Sequence, residues 1–387
     1  MNRRMRVLCC SGTICLAILI FCSLSNTVQV TSQLHPPCWG LPGANETVVI
    51  LKSGSTEITK RLPVHLSTTM QCYPNRAIFS DYEENFAEEH VFNALEDVSP
   101  DLLASDPEFE LYRQLQSSRR EVLQAPGLQT SEQAIQWHGN LENPGWKLDK
   151  WKFLPMVNRT LHEFPDMKWY VFVEADTYLL WSTLLHYLSV LDHTQPVYLG
   201  SQMYIGDVLF AHGGSGFVVS QSAMRKVVSH YTEHKGDLES FTHGHWAGDC
   251  VLGKAFTDSG VKFTDAWPIM QGYYPGIVAY ARPDGRPIAD PNKRVWCYPT
   301  VSYHHLSPET VEDMWTFEQQ WIAVSVATSN DQPKQLTDFL EEQQCWSTAT
   351  QGCLSGVHPP ENGRCAFQLG QRKRRRRGSA IVPRLQR

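Results

Sequence analysis

No Cys-x-x-Cys pair occurs anywhere in the 387 residues, so the spacing of the thiols writes in no zinc site. No internal repeat is visible either. Charge is sparse and nearly balanced, with 34 Lys and Arg against 40 Asp and Glu for a net of -6, which argues against a nucleic-acid binder. The composition, 42% hydrophobic and 19% charged, belongs to a globular chain, neither disordered nor collagenous. The length suffices for one large α/β domain with appendages. Tryptophan, by contrast, is plentiful at 12 residues. Its faces stack on sugar rings, but it is equally ordinary core material.

Acidic residues are missing from the start of the chain. Arg3, Arg4 and Arg6 precede an uncharged apolar run from Val7 to Leu24, just long enough to cross a ~30 Å hydrocarbon core as a helix. Basic residues on its N-terminal side put that end in the cytoplasm and the rest in the lumen. The expected organisation is a cytoplasmic tail (1–6), a transmembrane signal anchor (7–24), a stem (25–44) holding Pro36, Pro37 and Pro42, a catalytic domain (45–330) and a tail (331–387). Ser23-Leu24-Ser25 offers a small-x-small cleavage pattern, so a removed signal peptide is the alternative.

Either reading delivers the body to an oxidising compartment. Asn45-Glu46-Thr47 and Asn158-Arg159-Thr160 are N-glycosylation sequons. Four of the 11 cysteines lie in the apolar run; Cys38, Cys72, Cys250, Cys297, Cys345, Cys353 and Cys365 are scattered outside it. Disulfides are their natural reading, with the pairing open and one thiol left over. The basic run Arg372 to Arg377 would be an import signal in the cytosol, a reading that a lumenal position removes.

Along the body, Thr47 to Leu51 predicts a buried strand, Thr56 to Met70 a helix and Arg76 to Ser80 a second strand. That order suggests a parallel βαβ unit. The segment from Asp81 to Gln124 is acidic and then helical. A helix is expected from about Leu148 to His162, flanked and populated by Lys147, Lys150 and Lys152, then a strand over Trp169 to Val173, a helix over Leu184 to Leu191 and a strand over Pro196 to Gly200. The stretch from Phe210 to Ser220 reads as a glycine turn entering a strand, and Pro308 to Ala327 as helical.

Chemistry concentrates where the apolar strand Trp169 to Val173 ends on Glu174-Ala175-Asp176. Carboxylates at the carboxyl end of a parallel strand sit where open α/β sheets bind ligands, and residues two apart point to one side of an extended chain. A hard divalent ion between such an acid and a diphosphate would neutralise a nucleotide leaving group. The bland alternative is a helix N-cap at Asp176.

Four blocks in order carry a resemblance. They are Trp169 through Tyr178, the turn His212-Gly213-Gly214-Ser215-Gly216, Gly248-Asp249-Cys250-Val251-Leu252-Gly253, and Ser302-Tyr303-His304-His305-Leu306-Ser307-Pro308. Together they resemble the inverting β1,3-glycosyltransferases that include the fringe proteins and the core 1 galactosyltransferases, a glycosyltransferase family 31-like pattern. The resemblance is strong from about Trp146 to Trp315, faint between Val48 and Glu84, and does not reach the tail. Glu174-Ala175-Asp176-Thr177-Tyr178, in place of the usual acidic triplet, looks like a fungal-type variant.

The resemblance implies an α/β, GT-A-like nucleotide-sugar-binding domain with an open, mostly parallel mixed sheet. It implies inverting transfer of a hexose or N-acetylhexosamine from a UDP-sugar to a glycan hydroxyl, on a glycoprotein or glycolipid, by a single-pass type II protein of the Golgi membrane. Asp176 falls on the family's metal ligand and His304 on its second, with His305 the adjacent alternative; carboxylate and imidazole suit Mn²⁺ or a similar cation. Asp249 falls on the general base. In the family that acid has an acidic neighbour, whereas Gly248 stands here. Glu174, Gly213, Gly214 and Lys150 are expected at the donor, with glycines admitting the sugar closely and Lys150 or Lys147 facing phosphate. Trp246, Trp267, Tyr273 and Tyr274 are candidates for an acceptor platform. The alternative from another class is a catalytically inactive carbohydrate-binding protein on the same fold. A metal-dependent hydrolase would need more ligands than the sequence offers.

Overall fold

The computed structural model describes residues 36–124, 143–275 and 299–327. The N-terminal half of the domain holds strand β1 (Thr47–Lys52), helix α1 (Ile58–Ser67), strands β2 (Asn75–Ser80), β3 (Glu84–Phe86) and β4 (Glu89–Asn93), and helices α2 (Pro100–Ser105) and α3 (Glu110–Ser118). After these come the long helix α4 (Pro144–Glu163), β5 (Trp169–Glu174), β6 (Tyr178–Leu179), α5 (Trp181–Ser189) and β7 (Tyr198–Gly200). The hairpin β8 (Gln202–Ile205) and β9 (Val208–Ala211) precedes β10 (Phe217–Ser220), α6 (Gln221–Glu233), α7 (Lys235–His243) and α8 (Gly248–Asp258). Strands β11 (Phe263–Asp265) and β12 (Ser302–Tyr303) and helix α9 (Pro308–Ala327) complete the described elements.

Every residue of β1 is buried, as a strand covered on both faces requires. Its side chains alternate between two cores. Val49 and Leu51 join Val171, Val173, Ile58, Leu62 and Trp181 on one face; Val48 and Ile50 join Tyr170, Phe172, Phe153, Val227 and Val251 on the other. Helices α1 and α5 therefore cover one face, and α4, α6 and α8 the opposite one. The eight-stranded sheet runs β11-β7-β10-β5-β1-β2-β4-β3. Strand β1 pairs in parallel with β2 and β5, and β2 with β4. This mixed sheet between helical layers fits the expected GT-A-like architecture, and the βαβ unit over residues 47–80 forms as its sequence suggests.

Strand β10 is the exception that builds the site. It runs antiparallel to β5, with Phe217 opposite Phe172, so its entry turn, His212 to Gly216, lies at the carboxyl end of β5. The two-stranded pair β6–β12, with Tyr303 opposite Tyr178, brings the His304-His305 loop to the same edge.

Three differences from the sequence reading have local causes. The stretch read as acidic and then helical begins with the edge strand β3 and its neighbour β4, too short and too polar to announce themselves. The turn between them puts Ala87 at φ 55°. Residues from Pro37 onward belong to the compact unit: Cys38 is fully buried and disulfide-bonded to Cys72, so 37–44, read as stem, are packed into the domain. Of the two sequons, Asn45 is exposed, whereas Asn158 donates to Asp97 at 2.8 Å and Thr160 is wholly buried within α4. Among the described residues, no helix is long and apolar enough to cross a membrane. The apolar run 7–24, the tail 331–387 with Arg372 to Arg377, and Cys297, Cys345, Cys353 and Cys365 lie outside the described residues.

Candidate active site

At the end of β5 the chain turns before reaching helix α5, and Asp176 is held there by its neighbours. It is no helix cap: Leu180 occupies the N-cap of α5, and β6 intervenes. The Asp176 carbonyl accepts from the Leu306 amide at 3.0 Å, and its Oδ1 lies 3.2 Å from His304 Nε2. Two ligands at ~2.1 Å from one octahedral ion stand about 3 Å apart, so this spacing suits a shared cation. Oxygen or nitrogen atoms of Asp176, His304 and His305 all lie within 4.8 Å of one another. The set therefore fits a divalent ion of the Mn²⁺ kind, with both candidate histidines in reach.

Electrostatics tie the cluster together. Burial opposes ionisation of Asp176, but the His304 charge and hydrogen bond, with Arg61, outweigh it and hold the carboxyl well below its ordinary value. Burial likewise opposes protonation of His304, and Asp176 raises it. His305, with φ 60°, is pushed down to about 4 by burial and by His304.

The glycine turn faces this cluster. A Cβ on Gly214 would fall 2.1 Å from the His304 ring, closer than any side-chain carbon can come, so glycine is obligatory there. Gly213 donates its amide to Asp249 Oδ2 at 2.9 Å. Asp249 lies in the first turn of α8, whose N-cap is Ala247, and its Oδ1 accepts from Cys250 N at 2.9 Å. Burial raises the Asp249 carboxyl to about 6 despite these bonds, which suits a proton acceptor near neutral pH. Gly248 stands where the family has an acid for a steric reason: a Cβ there would meet Phe153 at 2.4 Å and Lys150 Cα at 2.7 Å.

One cavity of ≈ 320 Å³ collects Glu174, Asp176, Gly214, Asp249, His304 and His305. Gly213 sits behind it, against Asp249. Lys150 does not line it; its ammonium is bound by Glu108 at 2.8 Å and the His243 carbonyl at 3.1 Å. The cavity lysine of α4 is Lys152, two residues and so about 200° farther around the helix. It donates to the Ser53 carbonyl at 2.9 Å and sits 3.3 Å from buried Asp81. Lys52 comes from the end of β1, 3.1 Å from Glu174 and in contact with Asp149. Burial opposes its charge, and those two acids restore it. Arg61 of α1 reaches the Leu306 carbonyl and stands 3.9 Å from Asp176.

Sequence reasoning missed Lys52, Arg61 and Lys152, and also two histidines. A charged residue ending an apolar strand was the available signal for Lys52; the others needed the packing of α1 and α4. His212 lines the cavity, accepts from the Ser215 amide through Nδ1 at 3.2 Å, and is kept neutral by burial, at about 3. His65 lies behind the cluster of Asp176, His304 and His305, with Nε2 at 2.9 Å from the Ala175 carbonyl and Nδ1 at 2.9 Å from Thr69.

Comparison with known proteins finds similarity to glycosyltransferases. Residues 147–266 match the family model described as Fringe-like. The chain is 27% identical over 183 residues to a beta-1,3-glucosyltransferase of Mus musculus, covering 45% of this chain and 33% of the relative. It is 27% identical over 200 residues to the Homo sapiens beta-1,3-glucosyltransferase, covering 49% and 34%. It is also 27% identical over 119 residues to the chondroitin sulfate glucuronyltransferase of Homo sapiens, covering 30% and 15%. The chain thus spans between 15% and 34% of the length of these relatives. The matched segment contains Asp176, Gly213, Gly214 and Asp249. Residues 147–266 are thus similar to the Fringe-like family of glycosyltransferases, the one that the four sequence blocks resemble.

Proposed function

We propose that this chain is a metal-dependent, inverting glycosyltransferase that moves a hexose or N-acetylhexosamine from a UDP-sugar to a glycan hydroxyl, forming a β1,3 linkage. One observation carries the reading: the carboxylate–imidazole cluster of Asp176, His304 and His305 and the raised carboxyl of Asp249 line a single cavity. Asp176 and His304, with His305 in reach, would hold the cation, which supplies charge neutralisation to the departing diphosphate. Lys52, Arg61 and Lys152 add positive charge around the same anion. Asp249 takes the proton of the acceptor hydroxyl as that oxygen attacks the anomeric carbon and the bond to UDP breaks. No covalent nucleophile is required.

UDP-galactose and UDP-N-acetylglucosamine are the first donors to test, and the relatives' names add UDP-glucose. A Golgi location with a type II anchor completes the proposal. Gly248 and Glu174 do not favour the inactive carbohydrate-binding alternative. The first has a steric cause, and the second lies 3.1 Å from the Lys52 ammonium.

The test is calorimetric titration of the protein with UDP, with and without Mn²⁺. Binding that needs the metal is the expected outcome. A folded protein that binds UDP in neither condition would remove the transferase reading.

A further inference from the structure

Trp246 is 56% exposed, and its ring runs nearly parallel to that of Trp146, at 15° with centroids 6.3 Å apart. Both line the cavity that holds Asp249. An exposed indole at the mouth of a polar cavity is unfavourable in water unless something apolar covers it.

The pair is built on fixed backbone. Trp146 sits in the first turn of α4, where Asn143 caps the helix by accepting from Gly145 N at 2.8 Å. Gly145 packs so closely that a Cβ would stand 2.9 Å from Thr56 Oγ1. Trp246 sits in the turn before α8, where His245 donates its amide to the Thr242 carbonyl at 3.1 Å and accepts from Ala247 N through Nδ1 at 3.3 Å. Gly248 then locks that turn onto α4. Trp246 stands three positions before Asp249, a reach of at most about 10 Å.

Charge separates the two ligands that the site would need. The diphosphate belongs with Lys52, Arg61 and Lys152. The ledge of Trp146, Trp246, Ala247 and Gly248 carries no charge and offers flat apolar area, which matches the C–H face of a neutral pyranose.

Resting on the transferase reading above, we infer that the Trp146–Trp246 ledge is the acceptor subsite, on which a neutral hexopyranose stacks so that one of its hydroxyls meets Asp249.

The experiment is a saturation-transfer NMR titration of the full chain with UDP and Mg²⁺, a diamagnetic ion. The probes are the methyl α- and β-glycosides of glucose, galactose and mannose. Trp246→Ala, Trp146→Ala and Trp246→Phe are compared with the unmodified protein, and UDP affinity is measured in parallel. At least one glycoside is expected to bind. Trp246→Ala should weaken it about tenfold, Trp146→Ala less and Trp246→Phe least, while UDP affinity stays constant. UDP affinity that falls with Trp246 would make the ledge a nucleobase shelf and overturn the inference. So would glycoside affinity indifferent to Trp246, or UDP binding with no glycoside bound. Absence of metal-dependent UDP binding in the unmodified protein would instead sink the transferase reading itself.

Discussion

Asp249 shows how a single side chain acquires a role from its surroundings. Two backbone amides stabilise its charge, yet burial prevails and raises the carboxyl to about 6. A general base works only when unprotonated, so kcat/KM should rise with pH through about 6 and level off above it. Asp249→Asn should keep UDP affinity and lose transfer by about 10²–10⁴. The check is UDP titration beside a pH–rate profile of both proteins. Transfer by the variant with an unshifted profile would move the base elsewhere. The acids Glu174, Asp176 and Asp249 were legible because they sit in recognisable blocks. Lys150 was not placed correctly, because a lysine-rich helix does not say which turn faces inward. The contacts with Glu108 and the His243 carbonyl decided that.

At the scale of elements, the site is a meeting of strand ends. Strand β5 ends on Glu174 and the turn after it holds Asp176, β10 is reached through the glycine turn, and the β6–β12 pair delivers His304. Helix α1 pins the assembly from behind. The Ala175 carbonyl can only accept, so His65 Nε2 carries the hydrogen and Nδ1 accepts from the Thr69 hydroxyl. Burial keeps that imidazole neutral, down to about 4 from its ordinary 6.5. His65→Ala should therefore weaken metal-dependent UDP binding by freeing the peptide between the two acids, and His65→Gln should restore part of it. The sign of the linked stability follows. The unfolded chain binds this proton below 6.5 and the folded chain only below about 4, so the native protein loses stability as pH falls through that window. Urea midpoints of the His65→Gln variant should fall less steeply there, and identical slopes would exclude the residue.

For the whole molecule, the Cys38–Cys72 disulfide ties the start of the domain to the 3-10 turn after helix α1, with a sequence separation of 34. Closing a loop of that size stabilises by ~4 kcal/mol on the chain-entropy account. Replacing both cysteines by serine should lower the unfolding free energy by about that much, read from urea melts. Cys250, buried and unbonded, should stay unreactive toward thiol reagents in the same protein until it unfolds. The N-terminal apolar run makes a prediction of its own. If it anchors the protein, the full chain should remain with membranes through an alkaline carbonate wash, whereas recovery in the soluble fraction would favour a cleaved signal.

The sequence by itself determined the class of the protein. The buried strand over Thr47 to Leu51, the parallel βαβ unit and the helix over 308–327 follow from local periodicity. The four blocks, taken in order, carry the resemblance to glycosyltransferases. Local pattern could not say which loops share an edge, since that depends on strand order. The antiparallel insertion of β10 beside β5 joins residues about fifty positions apart, and the pairing of β12 with β6 joins residues more than a hundred apart. Only the tertiary structure decided that Lys52, Arg61 and Lys152 serve the cavity, that Gly248 is glycine because Phe153 leaves no space, and that two distant tryptophans form one surface. Each is a matter of what packs against what.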